Sequence, residues 1–90
     1  MNVFFTRLAS RELYRQIETV AANSDEAAKA ARLRIERVLD RLVEFPESAP
    51  AAGRFRSARV EFGRYGFVLL YSIHPDGIWI ERVLHGRQDR

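Results

Sequence analysis

The side chains of this sequence that could carry out chemistry are a histidine and several arginines in its C-terminal part. His85 precedes Arg87 by two residues, and Arg59 and Arg64 lie on the segments before them. Cleavage of RNA needs a group that accepts a proton, a group that donates one, and cations that stabilise the phosphate. If the protein is a ribonuclease, its catalytic candidates are His85, Arg87 and Arg59. A histidine that only caps the end of a strand would produce the same pattern.

The composition does not support a cysteine-based site or a metal site. The chain has no cysteine, which excludes disulfide frameworks, thiolate catalysis and cysteine-bound zinc. Its two histidines, His74 and His85, stand in no cluster of acidic residues with metal-ligand spacing. We therefore expect neither a metal site nor a cofactor.

The excess positive charge belongs to the second part of the sequence. Residues 1–53 carry eight basic and eight acidic side chains, whereas residues 54–90 carry seven arginines and four acids, which accounts for the formal net charge of +3. Planar guanidinium groups suit the recognition of carboxylates and phosphates, although a solvated surface has the same composition. The candidate contacts to a target or a partner are Arg54, Arg59, Arg64, Arg82, His85 and Arg87.

The first part of the sequence predicts one strand and two helices. Residues 2–6 contain a short β-prone apolar run, typical of an edge strand. Apolar residues then recur every three or four positions over residues 7–22, which predicts an amphipathic helix capped by Thr6. Ser24 and the acids after it start a second helix, which runs to Glu44 because Pro46 prevents its continuation. The two helices form a helical hairpin.

The second part predicts a loop and three strands. Residues 47–53 contain small residues, proline and glycine, so they form the loop after the hairpin. Alternation then predicts a half-buried strand over residues 58–62, and the apolar residues 67–73 predict a central strand that is covered on both faces. Turn residues at 74–77 lead to a returning strand over residues 78–84.

Together these elements predict an α+β protein. The order β-α-α-β-β-β places a helical hairpin on a small, mostly antiparallel sheet, in a single domain over residues 1–90. No apolar run reaches the ~18 residues of a membrane-spanning helix. The first residues are also too short for a signal-peptide core, so we expect a cytoplasmic protein.

Three strings on this framework are distinctive. They are PAAGR at residues 50–54, YGFVLLY at residues 65–71 and IERVLHGRQD at residues 80–89. The strings and the order of elements resemble the RelE/ParE superfamily of small bacterial toxins, and the last string is very similar to the ending of ParE-type members. The resemblance implies a RelE/ParE-like fold and a toxin of a type II toxin-antitoxin system.

The resemblance favours the ParE-type subclass. RelE-type members are ribonucleases that cut messenger RNA on the ribosome, and their central strand carries an arginine where this sequence has Val68. They also tend to carry a tyrosine or histidine beside an arginine near the C-terminus, whereas no tyrosine follows Tyr71 here. ParE-type members poison DNA gyrase without a known catalytic centre, so we expect a gyrase inhibitor that is not an enzyme. A RelE-type endoribonuclease and a non-toxic interaction module of the same fold are the alternatives.

The resemblance also implies a protein partner. Toxins of this superfamily are held inactive by an antitoxin whose disordered C-terminal segment folds over them. We therefore expect a hetero-oligomer with a ParD-like antitoxin that has an acidic C-terminal segment, with DNA gyrase as the target and no contact with a membrane. The basic residues of positions 54–90 would form the rim of the contact surface.

Overall fold

Residues 1–88, which the computed structural model describes, form five strands, two long helices and a short 3-10 helix. Asp89, the last residue of the string at 80–89, and Arg90 lie outside the described residues. The elements in chain order are β1 (Asn2–Phe5), α1 (Arg7–Ala21), α2 (Asp25–Glu44), β2 (Ala51–Ala52), β3 (Phe55–Val60), β4 (Phe67–His74), β5 (Gly77–His85) and the 3-10 helix η1 (Gly86–Gln88).

Both long helices begin where the sequence predicts. The hydroxyl of Thr6 accepts a hydrogen bond from Ala9 N–H at 3.0 Å, and the hydroxyl of Ser24 accepts one from Ala27 N–H at 3.1 Å. These caps satisfy amides that have no partner inside the helix. No helix within residues 1–88 combines the length and the apolar character needed to cross a membrane.

The sheet is mostly antiparallel, as predicted. Its strand order is β1-β5-β4-β3-β2, and among the described strands only β1 runs parallel to its neighbour. β1 is an edge strand and β4 is the central strand, which confirms both sequence-based predictions. The helical hairpin packs on this sheet through contacts of α1 with β5 and of α2 with β3, so the α+β fold is confirmed.

The sheet contains one strand more than the sequence predicts. The prediction of a loop at residues 47–53 is wrong at Ala51 and Ala52, which form β2 and pair with Phe55 and Arg56. Two alanines carry no alternation of apolar and polar side chains, so a strand this short leaves no periodic signal.

The bounds of β3 also differ from the prediction of a strand at residues 58–62. β3 begins at Phe55 and ends at Val60. Phe62 lies in the turn that follows, where its ring stacks on Phe67 with 5.7 Å between centroids. Because Phe62 is apolar, the alternation in the sequence continues past the end of β3. Its side chain packs against another ring, but its backbone is not part of the strand.

The core lies between the helices and one face of the sheet. Five of its largest fully buried side chains are Leu42, Leu69, Tyr71, Ile78 and Ile80. Val68 is also fully buried but is not a member of this core, because strand alternation turns it to the opposite face. There it lies between Arg59 of β3 and Leu84 of β5. The prediction of a strand covered on both faces holds only for the first part of β4, because Ile73 near its end is 38% exposed.

Side chains of α1 and of its N-cap Thr6 complete the edge of β5 beyond the end of β1. Thr6 Oγ1 donates a hydrogen bond to the carbonyl of Glu81 at 3.2 Å. Val83 N–H donates to Glu12 Oε1 at 2.9 Å, and the carbonyl of Val83 accepts a hydrogen bond from Gln16 Nε2 at 3.0 Å. The helix therefore supplies the hydrogen-bond partners that a neighbouring strand would supply, and it is fixed in position against the sheet.

Tyr71 carries a hydroxyl whose loss should weaken the fold. The residue is fully buried, and its hydroxyl donates a hydrogen bond to the carbonyl of Pro46 at 2.6 Å, which ties the chain after α2 to β4. Because Tyr71→Phe leaves this carbonyl without its donor, we expect the free energy of unfolding to fall by about 1 kcal/mol in urea denaturation. Tyr14→Phe, at an exposed position of α1, is the matched control and should change nothing. Equal stabilities of the two variants would mean that water replaces the hydroxyl group of Tyr71 as the donor to the Pro46 carbonyl.

Candidate functional site

Three of the residues selected from the sequence meet around one aromatic ring at the end of the sheet. The ring centroids of Tyr65 and His85 are 5.3 Å apart. The guanidinium carbons of Arg64 and Arg87 lie 5.4 Å and 5.8 Å from the Tyr65 centroid, within the range of cation–π contacts. We call these four residues the Tyr65 cluster. It brings two cations, an imidazole and a phenol to one surface.

Backbone contacts position the Tyr65 cluster. Tyr65 lies in the turn between β3 and β4, and this turn is closed by Gly66 N–H, which donates to the carbonyl of Phe62 at 2.8 Å. Gly86 N–H donates to the carbonyl of Gly66 at 2.9 Å, which holds the start of η1 against the turn. The cluster therefore forms only when the turn and the end of β5 lie side by side.

The imidazole of His85 acts as a hydrogen-bond acceptor. Its Nδ1 accepts a hydrogen bond from Arg87 N–H at 3.1 Å, and the backbone N–H of His85 donates to Gln88 Oε1 at 2.8 Å. An accepting Nδ1 places the proton of the neutral ring on Nε2. The lone pair of Nδ1 is then engaged and Nε2 already carries a proton, so the ring is poorly placed to act as a general base. This geometry favours the interpretation of His85 as a cap at the end of the strand.

The Tyr65 cluster borders a groove between α1 and the turn before β4, which we call the α1 groove. The groove has a volume of about 450 Å³, and Arg15 and Arg64 line it. Glu12 is the one acid among its described lining residues, and Arg82 donates three hydrogen bonds of 2.7 to 3.1 Å to its carboxylate. Because this carboxylate is already neutralised by Arg82, the groove presents net positive charge to a partner.

The same contacts set the pKa of Glu12. Burial by itself raises the pKa of this carboxyl. The hydrogen bonds from Arg82 and from the backbone of Val83, together with the charges of Arg82 and Arg15, outweigh burial and lower the pKa overall. The carboxylate form is therefore favoured by the folded structure.

A second basic groove lies between α2 and β3, and we call it the α2–β3 groove. Arg34, Arg37 and Arg41 line it from one face of the helix, and Arg59 lines it from the strand. Its volume is about 820 Å³, and Glu61 is the one acid among its described lining residues. None of the described residues lines both grooves, so the two are separate surfaces.

The other residues selected from the sequence lie apart from the Tyr65 cluster. Arg82 makes the ion pair with Glu12, and 41% of its side chain is exposed. Arg59 is exposed on β3. Arg54 lies between β2 and β3, with its guanidinium carbon 5.8 Å from the centroid of Phe55. Of the six candidate contact residues, the structure brings together Arg64, His85 and Arg87.

Tyr65 is a member of this site that sequence reasoning missed. The signal was an aromatic residue beside Arg64 in a turn bounded by Gly63 and Gly66. Tyr65 is only partly buried in this turn, so its ring is available for contacts at the surface. Arg37 and Arg41 were missed for another reason, because the balanced charges of the first part of the sequence indicate only a solvated helix face.

Residues 1–88 thus form a small α+β structure with two open basic grooves. Comparison with known families is more specific, because residues 3–90 match the family described as "ParE toxin of type II toxin-antitoxin system, parDE". The chain belongs to this family of toxins. The match confirms the resemblance drawn from the three sequence strings.

Comparison with solved structures supports the same fold. A chain of the structure titled "Chromosomal ParDE TA system from P. aeruginosa" superposes with a TM-score of 0.70 and 20% sequence identity. The alignment covers 94% of this chain and 95% of that chain. At this level of identity, the likeness shows the fold alone. Among proteins of curated function, no sequence matches this chain.

Proposed function

We propose that this ParE-type toxin inhibits DNA gyrase by binding it and is neutralised by a ParD-like antitoxin with an acidic segment. The observation that carries the proposal is the Tyr65 cluster, where Arg64 and Arg87 surround an aromatic ring at the surface. Tyrosine and arginine are, together with tryptophan, enriched among the residues that dominate the energy of protein interfaces. A surface of this kind suits a contact with a protein target.

Two observations support binding over catalysis. His85 is the one imidazole of the cluster, and its Nδ1 is occupied by the N–H of Arg87. Val68 stands where the ribonuclease members of the superfamily carry an arginine, and its side chain is fully buried. His85 therefore offers no free base for cleavage of RNA, and position 68 lacks the cation that the ribonuclease members carry there.

The charge of the protein supports an acidic antitoxin. The formal net charge is +3, and each groove is lined by more arginines than acids. Complementary charge accelerates association and excludes partners of the same sign. We therefore propose a cytoplasmic hetero-oligomer in which an acidic segment covers basic surface of the toxin.

A supercoiling assay tests the proposal directly. Purified toxin should inhibit the supercoiling of relaxed plasmid by gyrase, and Arg64→Glu/Arg87→Glu should raise the required concentration by roughly tenfold or more because it reverses both cations of the cluster. Arg7→Glu/Arg11→Glu changes the net charge equally on the exposed face of α1 and is the matched control. His85→Gln keeps a hydrogen-bonding group and both cations of the cluster, so it should lower inhibition much less than the reversal of the two arginines.

Three results would contradict the proposal. The first is supercoiling that stays unchanged at toxin concentrations that stop growth. The second is cleavage of messenger RNA on ribosomes that His85→Gln abolishes, which would establish the endoribonuclease alternative. The third is growth that is unaffected by the toxin alone, which would favour the non-toxic interaction module.

A further inference from the structure

β1 forms an outer edge of the sheet on which no other strand of residues 1–88 lies. It is the first strand in the order β1-β5-β4-β3-β2, and its residues Asn2–Phe5 include neither a charged residue nor a proline. Its pairing with β5 is regular over all four residues, so it contains no bulge. Charged side chains, proline and bulges are the usual means by which proteins prevent an edge from pairing with another chain. The edge of β1 has none of these and is therefore open to a further strand.

The backbone groups of Val3 and Phe5 point to this open edge. Thr6 N–H donates to the carbonyl of Ile80 on β5 at 3.0 Å, so the backbone of Thr6 faces β5. Successive residues of a paired strand direct their backbone groups to opposite sides, which turns Val3 and Phe5 away from β5. In the part of the chain that the structure describes, no strand lies there to pair with them. The edge thus presents two N–H donors and two carbonyl acceptors.

A second copy of β1 can satisfy all four of these groups. When two copies run antiparallel with their Phe4 residues opposite each other, Val3 of each copy lies opposite Phe5 of the other. Opposite residues of this kind exchange two hydrogen bonds, so the two pairs form four. The arrangement has a two-fold axis between the two Phe4 residues, and an assembly of this symmetry closes as a dimer.

The aromatic side chain of Phe4 suits the centre of this pairing. Phe4 is partly exposed, and its ring stacks on Trp79 of β5 with 4.9 Å between centroids. At the two-fold axis the two Phe4 residues form a pair without hydrogen bonds between them, in which side chains lie close together. Trp79 and Phe4 of both copies then form a row of four rings across the interface. Aromatic pairs across neighbouring strands stabilise a sheet.

An apolar cleft with acidic residues lies beside the first residue of the chain. Met1, Phe45 and Ile73 line it, and they are 62%, 56% and 38% exposed. The volume of the cleft is about 620 Å³, and the charged residues among its described lining are Glu44 and Glu47. This cleft suits an apolar side chain that stands between cations.

The start of α1 carries such a side chain. Leu8 is 49% exposed, and Arg7 and Arg11 on the same part of the helix are also exposed. In the register centred on Phe4, Met1 of one copy lies opposite Arg7 of the other. The start of α1 from one copy therefore comes beside the cleft of the second copy, and the two-fold axis repeats this contact. The charges of the two surfaces are opposite, which favours a second copy of this chain as the occupant.

We propose that two copies of this chain form a dimer by antiparallel pairing of β1, which joins their two five-stranded sheets into one. The inference does not rest on the proposed function. β1 pairs with the first residues of β5, whereas His85 of the Tyr65 cluster is the last residue of that strand. The Tyr65 cluster of each copy therefore stays open to a target.

Sedimentation equilibrium tests the dimer with two lysine variants. The intact toxin should sediment as a reversible dimer, and Phe4→Lys should raise its dissociation constant by roughly tenfold or more because two cations then lie opposite each other. Tyr14→Lys also replaces an aromatic ring with a cation, at a position of α1 that is 67% exposed, and should leave the constant almost unchanged. Phe4→Lys should still inhibit gyrase, which shows that the variant is folded.

A disulfide cross-link tests the register independently. The chain has no cysteine, so each variant contains a single thiol. Phe4→Cys places two cysteines opposite each other, with Cα atoms about 4.5 Å apart, within the range that a disulfide spans. Asn2→Cys lies on the same face of β1, but its two copies are four residues, or roughly 13 Å, apart along the strands. Mild oxidation should therefore link Phe4→Cys into a covalent dimer and leave Asn2→Cys mostly unlinked.

Each measurement can overturn the inference. An intact toxin that sediments as a single chain at every concentration would exclude the dimer, and a mass above that of two chains would exclude a closed pair. Equal dissociation constants for the two lysine variants would show that β1 is not the interface. Equal cross-linking of the two cysteine variants, or none at Phe4→Cys, would exclude the register. Gyrase inhibition is measured separately, so failure of the inference and failure of the proposed function remain distinct outcomes.

Discussion

Gly86→Ala should lower the free energy of unfolding by about 3 kcal/mol and disrupt the Tyr65 cluster. Gly86 is buried, and a Cβ atom at this position would overlap the backbone carbonyl of Tyr65 and lie 3.2 Å from the carbonyl oxygen of Gly66. Backbone atoms cannot rotate away as the end of a long side chain can. Either the turn before β4 or the end of β5 must move, and the hydrogen bond from Gly86 N–H to Gly66 is lost with it.

Gly53→Ala is the matched control for this prediction. Gly53 has a φ angle of +65°, and nothing lies within 4 Å of a Cβ atom built there. Its replacement adds backbone strain without a steric overlap, so it should cost about 1 kcal/mol. Urea denaturation gives both stabilities, and the supercoiling assay should show that only Gly86→Ala loses inhibition. Equal stabilities of the two variants would show that the turn at Tyr65 can move away from the added Cβ atom at little cost in free energy.

The helices and the central strand could be predicted because their signals are local. Thr6 and Ser24 cap helices with hydroxyl groups that contact amides three residues away. The apolar run that starts at Phe67 needs no knowledge of its neighbours to be identified as buried. Local chemistry was likewise sufficient for the turn before Gly77, which joins β4 to β5.

The Tyr65 cluster could not be predicted because it depends on a change of register between β4 and β5. Near the turn His74 pairs with Gly77, and this register continues as far as the pair of Tyr71 with Ile80. A bulge opposite Leu70 and Tyr71, where Glu81 of β5 has no pairing partner, then shifts the pairing by one residue, so Phe67 meets His85 rather than Leu84. A shift of one residue exchanges the two faces of a strand. Without it, the imidazole would point away from the turn that holds Tyr65.

The role of Glu12 was hidden for a similar reason. From the sequence, Glu12 is one of the charged residues on the outer face of an amphipathic helix. In the structure it accepts hydrogen bonds from Arg82 and from the backbone of Val83, about seventy positions away. Glu12 is needed as a hydrogen-bond partner because β1 is shorter than β5 and leaves part of the edge of β5 without a neighbouring strand. This difference in length is known only when the two strands are paired. Arg82, which the sequence suggested as a contact residue, therefore forms an ion pair with Glu12 while 41% of its side chain stays exposed.

Glu12→Ala should lower the free energy of unfolding by about 2 kcal/mol. The variant removes the acceptor of three hydrogen bonds from Arg82 and one from the N–H of Val83. The side chain of Arg82 is 41% exposed and can be hydrated, whereas Val83 is buried and its N–H loses its partner. Glu18→Ala, on the exposed face of the same helix, is the control and should have little effect in urea denaturation. A cost no larger than that of the control would mean that another group satisfies Val83.

The contribution of Glu12 to the free energy of unfolding should also depend on pH, and the direction of this dependence follows from its pKa. The pKa of this carboxyl is lower in the folded protein than the value of 4.5 for a free glutamate, so the folded state binds fewer protons than the unfolded state. The stabilisation by the carboxylate is therefore fully present above pH 4.5 and is lost as the pH falls through the folded-state pKa.

Glu12→Gln keeps the size of the side chain and removes its titration. The difference in unfolding free energy between the parent and this variant should therefore be largest near neutral pH and shrink in acid. A difference that stays constant with pH would show that the shape of the side chain, and not its charge, holds Arg82 and the edge of β5.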